Sequence, residues 1–525
     1  MVSVSFNDAT MKILTADAAR LMDRRFEADK SLARIVLNEC SVDIMPSRLF
    51  VGGGQHIECS VAAGAPSGLV VVDVNIDNYR NVLSELRSGT EYRFAPGFYD
   101  LEKPLMLPSS VRVTGAPSGR TIFRPLHHQT VVAIEEAKDV AVIAVSLLGS
   151  DCSALRVQRG SNILLSGIFV DSPSGYGMQI DDDCDSVSII KCHIRSSGYG
   201  GIMARGLINN LLIAENIIDS AYRRELEVSN YGAAIRVQAL EHLRKEYDTS
   251  ITISGSRPSN NSLIFNGVFS HYIGPRRPRN VAIVNNSVIN SRSQGVYLSG
   301  ATLAYVYKNT IAHCDKEAIC VDHQSLMNII SNNLIINVGQ RDRQTSEELI
   351  NDHIDLGENK DRFVKAKLPA ISVDYSDLNL LIGNSVIGNS GGGIKAVRLA
   401  CFNLIGLNLL KGNNAGDNDA HVFPEMLIGD ASVEGTLKKA YRHSFDNRDY
   451  GSSANALVAN KIESSKRGIQ INMKSNDNFI FRNQLFGCRE FDFRVLNDHT
   501  YTAGADGAFR RLTPGSWPPS REQIM

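Results

Sequence analysis

Tryptophan is nearly absent from this chain: Trp517 stands alone among 525 residues, and aromatics make up 7%. Flat platforms for stacking bases or sugars are therefore scarce, so ligand contacts must come mainly from polar side chains. No charge of one sign dominates either. Against 55 Lys and Arg stand 56 Asp and Glu, for a formal net charge of −1. No global field draws in nucleic acid or an anionic membrane, and neither is expected as a partner. Long apolar runs are also missing; none reaches the roughly 18 residues of a membrane-spanning helix. The nine cysteines include no C-x-x-C pair, and an odd, scattered set favours reduced thiols over a disulfide framework. The histidines show no spacing suited to zinc. The opening, MVSVSFNDATMKIL, has no basic segment leading into an apolar core, so no signal peptide is read. Location stays open between the cytoplasm and export with a signal already removed.

What is present is repetition. The run Leu155-Arg156-Val157-Gln158 is echoed by Met178-Gln179-Ile180-Asp181 and by Ile202-Met203-Ala204-Arg205, at a period of about 23–24 residues. Shorter apolar runs such as Asn162–Leu165 and Val187–Ile190 lie between them. Each period reads as about three short strands with no room for a helix. Such a unit cannot bury its own apolar side, but stacked copies can. Further first-strand members are Val131–Ile134, Ile235–Gln238, Val296–Ser299, Ile319–Asp322, Ile371–Asp374, Ile394–Val397 and Ile469–Asn472. A Gly or Ala usually precedes each, as at Gly177 and Gly201, which is expected to ease a tight bend before the strand. The later strands carry a loose N-N-x-(I/L)-I-x-N pattern at Asn209–Ile218, Asn285–Asn290, Asn332–Asn337 and Asn384–Asn389. Asparagine repeated at one turn position is expected to form an inward amide ladder.

The expected fold class is all-β: a right-handed, single-stranded parallel β-helix of about ten or more coils, with an N-terminal helical cap and loop insertions. The cap spans 1–75, with helical spacing at Ala18, Leu21, Met22, Leu32, Ile35 and Val36 within 1–40. The β-helix spans 76–495, with insertions near 240–278, 339–367 and 413–453. Residues 496–525 read as an irregular C-terminal extension, given Pro514, Pro518 and Pro519. A short helix is expected from Asp77 or Asn78 to Gly89, with Tyr79, Val82, Leu83 and Leu86 on one face.

That helix is followed by Ala95-Pro96-Gly97-Phe98-Tyr99-Asp100-Leu101 and by Leu107-Pro108-Ser109-Ser110-Val111-Arg112-Val113-Thr114-Gly115. Helix, strand, "A-P-G-x-Y-x-L", "L-P-S-x-V-x-V-x-G" and then a coil ladder resemble the start of the pectate-lyase-like right-handed β-helix superfamily. The resemblance implies the fold and a polysaccharide partner. It implies lyase, hydrolase, transferase or epimerase chemistry without choosing among them.

Chemistry is expected on the first-strand face, where alternate side chains point outward. The outward candidates, rung by rung, are Arg156 and Gln158, Gln179 and Asp181, Met203 and Arg205, Arg236 and Gln238, Tyr297 and Ser299, Cys320 and Asp322, Ser372 and Asp374, Lys395, then Gln470 and Asn472. Asp322 and Asp374 share one column on consecutive rungs, and such paired carboxylates suit glycosidic cleavage by acid and base or nucleophile. His323 and Tyr375 follow them directly and are candidates for proton transfer or sugar contact. Two solvent-facing aspartates with no catalytic role are the alternative.

A second constellation is Asp181-Asp182-Asp183-Cys184-Asp185. Its carboxylates could be catalytic, hold Ca²⁺, or form a plain acidic turn. An EF-hand is excluded, because Ser186 replaces the turn Gly and Cys192 the closing Glu. "D-D-C" resembles polygalacturonase-type hydrolases, but their N-T-D, G-H-G and R-I-K companions are missing; Gly198-Tyr199-Gly200 and Ile235-Arg236-Val237 are imperfect stand-ins. A third set is Arg205, Arg236 and Lys395. In a lyase these would neutralise a uronate and abstract its proton; otherwise they are cations paired with Asp181 or Asp374. No D-P-H-D stretch of the alginate-epimerase kind occurs. Gly388-Asn389-Ser390-Gly391-Gly392 fits G-x-S-x-G but leads into a strand, so it reads as a coil turn.

The layout of a rung ending in Asp, an overhanging charged loop and another rung is also similar to inulin fructotransferases. Those enzymes are trimers with an acidic pair, which implies a homotrimer here. Three readings follow: a glycoside hydrolase or glycosyl-transferring enzyme using Asp322 and Asp374 or the Asp181 cluster; a lyase using Arg or Lys, with or without Ca²⁺; and a non-catalytic glycan-binding β-helix.

Overall fold

The computed structural model describes chiefly residues 68–116, 121–221, 233–239, 277–322, 325–339, 368–374, 376–397, 400–414, 424–429, 452–472 and 477–496, with short strands before and after them. Every turn of chain contributes to three parallel sheets. Leu155–Gln158 enters sheet 1, Ser161–Ser166 sheet 2 and Phe169–Asp171 sheet 3, and the chain returns to sheet 1 at Tyr176–Asp181. Sheets 1 and 3 have 13 strands each and sheet 2 has 16. Parallel crossovers of this kind are right-handed, and so is this helix.

Alternation builds the core. In sheet 1 the inward pairs Leu155 and Val157, Met178 and Ile180, Ile235 and Val237, Ile319 and Val321, and Ile371 and Val373 are fully buried. Each such side chain contributes roughly 1.5–3 kcal/mol by leaving water. The small residue before each rung proves to have a different cause from the expected bend. A Cβ on Gly177 would stand 2.4 Å from Ile194 Cγ2, and one on Gly201 2.6 Å from Ile218 Cγ2. The isoleucines of sheet 3 fill that space and the carbonyl of the next rung closes it, at 2.8 Å for Gly177 and 2.6 Å for Gly201, so packing keeps those positions small.

The asparagine ladder is present and its pattern resolves into two jobs. Asn332 takes a left-handed φ of 54° at the corner between sheets 2 and 3, and Asn333 turns inward. The Asn309 backbone N–H and Nδ2 both donate to Asn333 Oδ1 at 3.0 Å. Asn333 Nδ2 donates in turn to Val306 O and to Asn384 Oδ1, each at 2.9 Å. The column runs from Asn216 through Asn286, Asn309, Asn333, Asn384, Asn408 and Asn460 to Asn483. A second links Asn328, Asn379, Asn403, Asn455 and Asn478. Within these two columns each inward amide finds partners one rung away, which is what burial of polar groups requires.

The helix after Asn78 forms as Tyr79–Ser84 and buries Tyr79 against the first coil, edge-on to Tyr99 at 5.3 Å. The helical pattern over 1–40 lies outside the described residues. Asp43–Met45, Arg48–Val51 and Gln55–Ile57 form a separate antiparallel sheet. Three rungs escaped the sequence pattern: Leu105–Met106, Met426–Ile428 and Phe491–Val495 all belong to sheet 1. Met426–Ile428 falls inside the interval read as an insertion near 413–453, so Lys395 and Gln470 are two rungs apart, with Leu427 between. The stretch after 495, read as irregular, contains the antiparallel pair Thr500–Ala503 and Phe509–Leu512. The 240–278 and 339–367 intervals lie almost wholly outside the described residues. Among the described residues no helix is long and apolar enough to cross a membrane.

Candidate active site

Register decides which outward side chains can meet. One unbroken column on sheet 1 runs Gln158, Asp181, Arg205, Gln238, Ser299, Asp322. The next rung pairs Cys320 with Ser372 and Val321 with Val373, which brings Asp374 level with Asp322. The neighbouring column runs Arg156, Gln179, Met203, Arg236, Tyr297, Cys320, Ser372, Lys395. Val397 and Leu427 then end the polar stripe.

From Arg236 to Lys395 much of this face is withdrawn from solvent. Arg236, Gln238, Tyr297, Asp374 and Lys395 are all at most 7% exposed. Each is engaged as a buried polar group must be. Arg236 Nε donates to Gln238 Oε1, and its guanidinium sits 4.8 Å over the Tyr297 ring. The Tyr297 hydroxyl donates to Asp322 Oδ2 at 3.2 Å. Ser372 Oγ donates to Asp374 Oδ1 at 3.0 Å, and the Lys395 ammonium lies 4.0 Å from Asp374 Oδ2. Burial first, and then the Asp322 charge, push the Tyr297 phenol well above its usual range. The Cys320 thiol is pushed well up by burial, then by Glu317, Asp322 and Asp374. Tyr297 is therefore a proton donor in hydrogen bonds, and Cys320 a neutral, unreactive thiol.

Glu317 was not singled out by the pattern. It is 6% exposed and close enough to act on Cys320 electrostatically. Its signal was a charged residue two places before a rung, where Gly or Ala was expected to be the informative position. His323 and Tyr375 lie outside the described residues.

The second constellation separates from the first. Asp181 lies in the Asp322 column, but four rungs earlier. At about 4.8 Å per rung the two stand about 19 Å apart, too far to act on one bond. Asp181 Oδ2 accepts from Gln179 Nε2 at 2.7 Å and from Arg156 Nε at 3.2 Å, while Arg205 Nη2 lies 3.2 Å from Oδ1. Asp182 and Asp183 form the turn, with φ of 27° and 55°. Asp185 accepts from Ser186 Oγ at 2.8 Å and from Asn210 Nδ2 at 3.0 Å. Asp181 and Asp185 thus face different partners. Among the described residues no group of three or more His, Cys, Asp or Glu is placed to share a metal ion. Of the third set, Arg205 and Lys395 are ion-paired with Asp181 and Asp374, and Arg236 packs on Tyr297.

No protein-family model matches this chain, and no curated protein matches it. Among solved structures it is similar to the catalytic domain of a GH87 alpha-1,3-glucanase in complex with tetrasaccharides, with a TM-score of 0.51 and 10% identity over 82% of this chain and 68% of that one. It is also similar to the Azotobacter vinelandii mannuronan C-5 epimerase AlgE6 A-module, at a TM-score of 0.45 and 12% identity over 83% of this chain and 95% of that one. A third is the periplasmic alginate epimerase AlgG, at 0.44 and 13% over 81% and 83%. At such identities the likeness is one of fold. The fold is the right-handed parallel β-helix to which the A-P-G-x-Y-x-L stretch pointed.

Proposed function

We propose that this chain is a polysaccharide-active enzyme that hydrolyses glycosidic bonds on the polar stripe of sheet 1. What carries the reading is the stacking of Asp322 and Asp374, outward and level on adjacent rungs, each with a different partner. Asp374 is held by two donors, the Ser372 hydroxyl and the Lys395 ammonium, which favour its charged form. It is assigned as the carboxylate that activates water or attacks the anomeric carbon. Asp322, whose Oδ2 accepts from the Tyr297 hydroxyl, is assigned as the carboxyl that, when protonated, gives its proton to the departing oxygen. The glycosidic C–O bond breaks as its oxygen takes the Asp322 proton; water's oxygen joins the anomeric carbon, directly or by displacing Asp374 from it, and water's spare proton passes to a carboxylate of the pair, so nothing is oxidised or reduced. The shared fold with a glucanase solved with tetrasaccharides supports a saccharide substrate.

Elimination needs a base free to take a proton. Lys395 and Arg205 are ion-paired, and the Tyr297 phenol is pushed up, so the stripe favours hydrolysis over the lyase reading. A polysaccharide panel tests the choice, read for new reducing ends and for double-bond absorbance. Hydrolysis yields reducing ends alone. Double-bond absorbance would replace hydrolysis with elimination, and neither signal would leave a binder.

A further inference from the structure

Sheet 3 turns a different side of the coil stack outward, and the cleavage step makes no use of it. The middle residue of each of its strands points into the lumen: Ile218, Val288, Ile311, Ile335, Val386 and Leu410 are fully buried. The residues flanking each of these therefore face outward. One outward column reads Ile289, Ala312, Ile336, Ile387 on four successive rungs. The other carries Ile217, Leu334 and Leu409 along the same stretch. Ile217 and Leu334 are 44% and 37% exposed, and Ile289, Ile336, Ile387 and Leu409 are half-buried. The outward apolar residues of sheet 2, such as Tyr305, Leu380 and Leu404, are by contrast buried. A lone exposed leucine means little, but a continuous apolar strip over the six rungs from Ile217 to Leu409 marks a surface that meets another.

Charge indicates what that other surface is. In the Ile289 column the strip is closed at one end by Asp219 and then Arg195, and at the other by Lys411 and then Glu463. Outward from the strip the signs run minus, plus at one end and plus, minus at the other. We propose that sheet 3 is a self-association face, on which a second copy of this chain docks with its coils running the opposite way. The two-fold axis lies along the strands, midway between the rungs of Ala312 and Ile336. It sets Ile289 over Ile387 and Ala312 over Ile336, and brings Asp219 to Lys411 and Arg195 to Glu463 of the second copy, each contact occurring twice. With coils running the same way, Asp219 would face Ile217 and Lys411 would face Leu409. Arg195 is already paired with Asp171, and Lys411 with Glu463, so the charges set register more than strength. The strip with its charged ends measures about 34 Å by 10 Å, under half of the roughly 800 Å² per partner in a stable interface. The dimer is thus a weak one, with a Kd of roughly 10 μM or more. It does not rest on the cleavage reading, because sheet 1 lies on another side.

Sedimentation velocity of the full chain, from about 1 to 300 μM so as to bracket that Kd, tests the face. The mean mass is expected to rise from one chain toward two and no further. Ile336→Asp, beside the axis, is expected to hold the protein at one chain throughout. Lys411→Glu should raise Kd by about tenfold, because the two-fold repeats each clash. Adding Asp219→Lys should restore the parent value. In one chain those two residues stand five rungs apart. That is about 24 Å, so the rescue can act only between copies. Neither side chain is part of the core, so the charge exchange tests the face even where Ile336→Asp fails to fold. A single chain at every concentration, a trimer, a dimer that a folded Ile336→Asp protein retains, or a Lys411→Glu defect that Asp219→Lys leaves unrescued overturns the proposal.

Discussion

The Tyr297 hydroxyl reaches across one rung to donate to Asp322 Oδ2 at 3.2 Å, while Arg236 backs the Tyr297 ring at 4.8 Å. A phenol pushed well above its usual range stays protonated throughout the working pH of the protein. It fixes one oxygen of Asp322 without competing for the proton.

Tyr297→Phe should therefore lower kcat by about threefold to tenfold, the worth of one ordinary hydrogen bond. The ring and its packing on Arg236 remain. Steady-state kinetics beside a thermal melt check this: kcat falls, the melting temperature holds, and the pH profile keeps its shape.

Lys395 and Asp374 are both buried, so removing one leaves the other uncompensated. Lys395→Met should cost about 3–5 kcal/mol of stability. Adding Asp374→Asn should return most of that loss but no activity. Denaturant unfolding of the single and double variants measures the coupling. Additive losses would mean that the pair contributes nothing.

Asn333 accepts from two donors of the preceding rung and donates both to Val306 O of that rung and to Asn384 Oδ1 of the next. Asn333→Ala strands the Asn309 N–H and one of the two Nδ2 hydrogens, the other keeping its bond to Ile283 O at 2.8 Å, at roughly 1–3 kcal/mol for each orphaned hydrogen. A lower unfolding midpoint, with the far-ultraviolet spectrum unchanged, is expected.

How much of this could be read from the chain itself follows from what each residue does. Outward and inward positions on sheet 1 were legible, because alternation at Leu155-Arg156-Val157-Gln158 is a local property repeated at every rung. The Asn332-Asn333 pair was legible as a ladder, since burial of amides leaves few other arrangements. Met426–Ile428 was hidden because a rung of only three residues sits between long intervals without pattern. The separation of Asp181 from Asp322 was implicit in the rung count, and so were the pairs of Arg205 with Asp181 and Lys395 with Asp374, because those residues stand on adjacent rungs. The bond from Tyr297 to Asp322 was not, since it depends on side-chain reach. The Gly177 and Gly201 positions were located correctly and given a different cause, as their constraint comes from Ile194 and Ile218 on another sheet and from the carbonyls of the next rung.

Two buried carboxyls outside the stripe make stability depend on pH. Glu425, which accepts from Asn413 Nδ2 at 2.9 Å and from Ser465 Oγ, is pushed up to about 7 by burial. Asp377, accepting from the Cys401 N–H at 2.7 Å, is also pushed up to about 7 by burial. Their ordinary values are 4.5 and 3.8. A raised carboxyl favours the neutral folded form, so its contribution is complete at acid pH and is lost as pH rises through about 7. Melting temperature should fall between pH 5 and pH 8, and Glu425→Gln with Asp377→Asn should flatten that slope. A slope of the opposite sign in the parent protein would contradict it.

The most direct test compares turnover by the parent protein with that of Asp322→Asn and Asp374→Asn, on whichever polysaccharide of the panel is cleaved, with thermal melts run in parallel. Both variants are predicted to melt as a folded β-helix and to release no reducing ends above background. Parent-like turnover by either one would show that the stacked aspartates do not perform the cleavage.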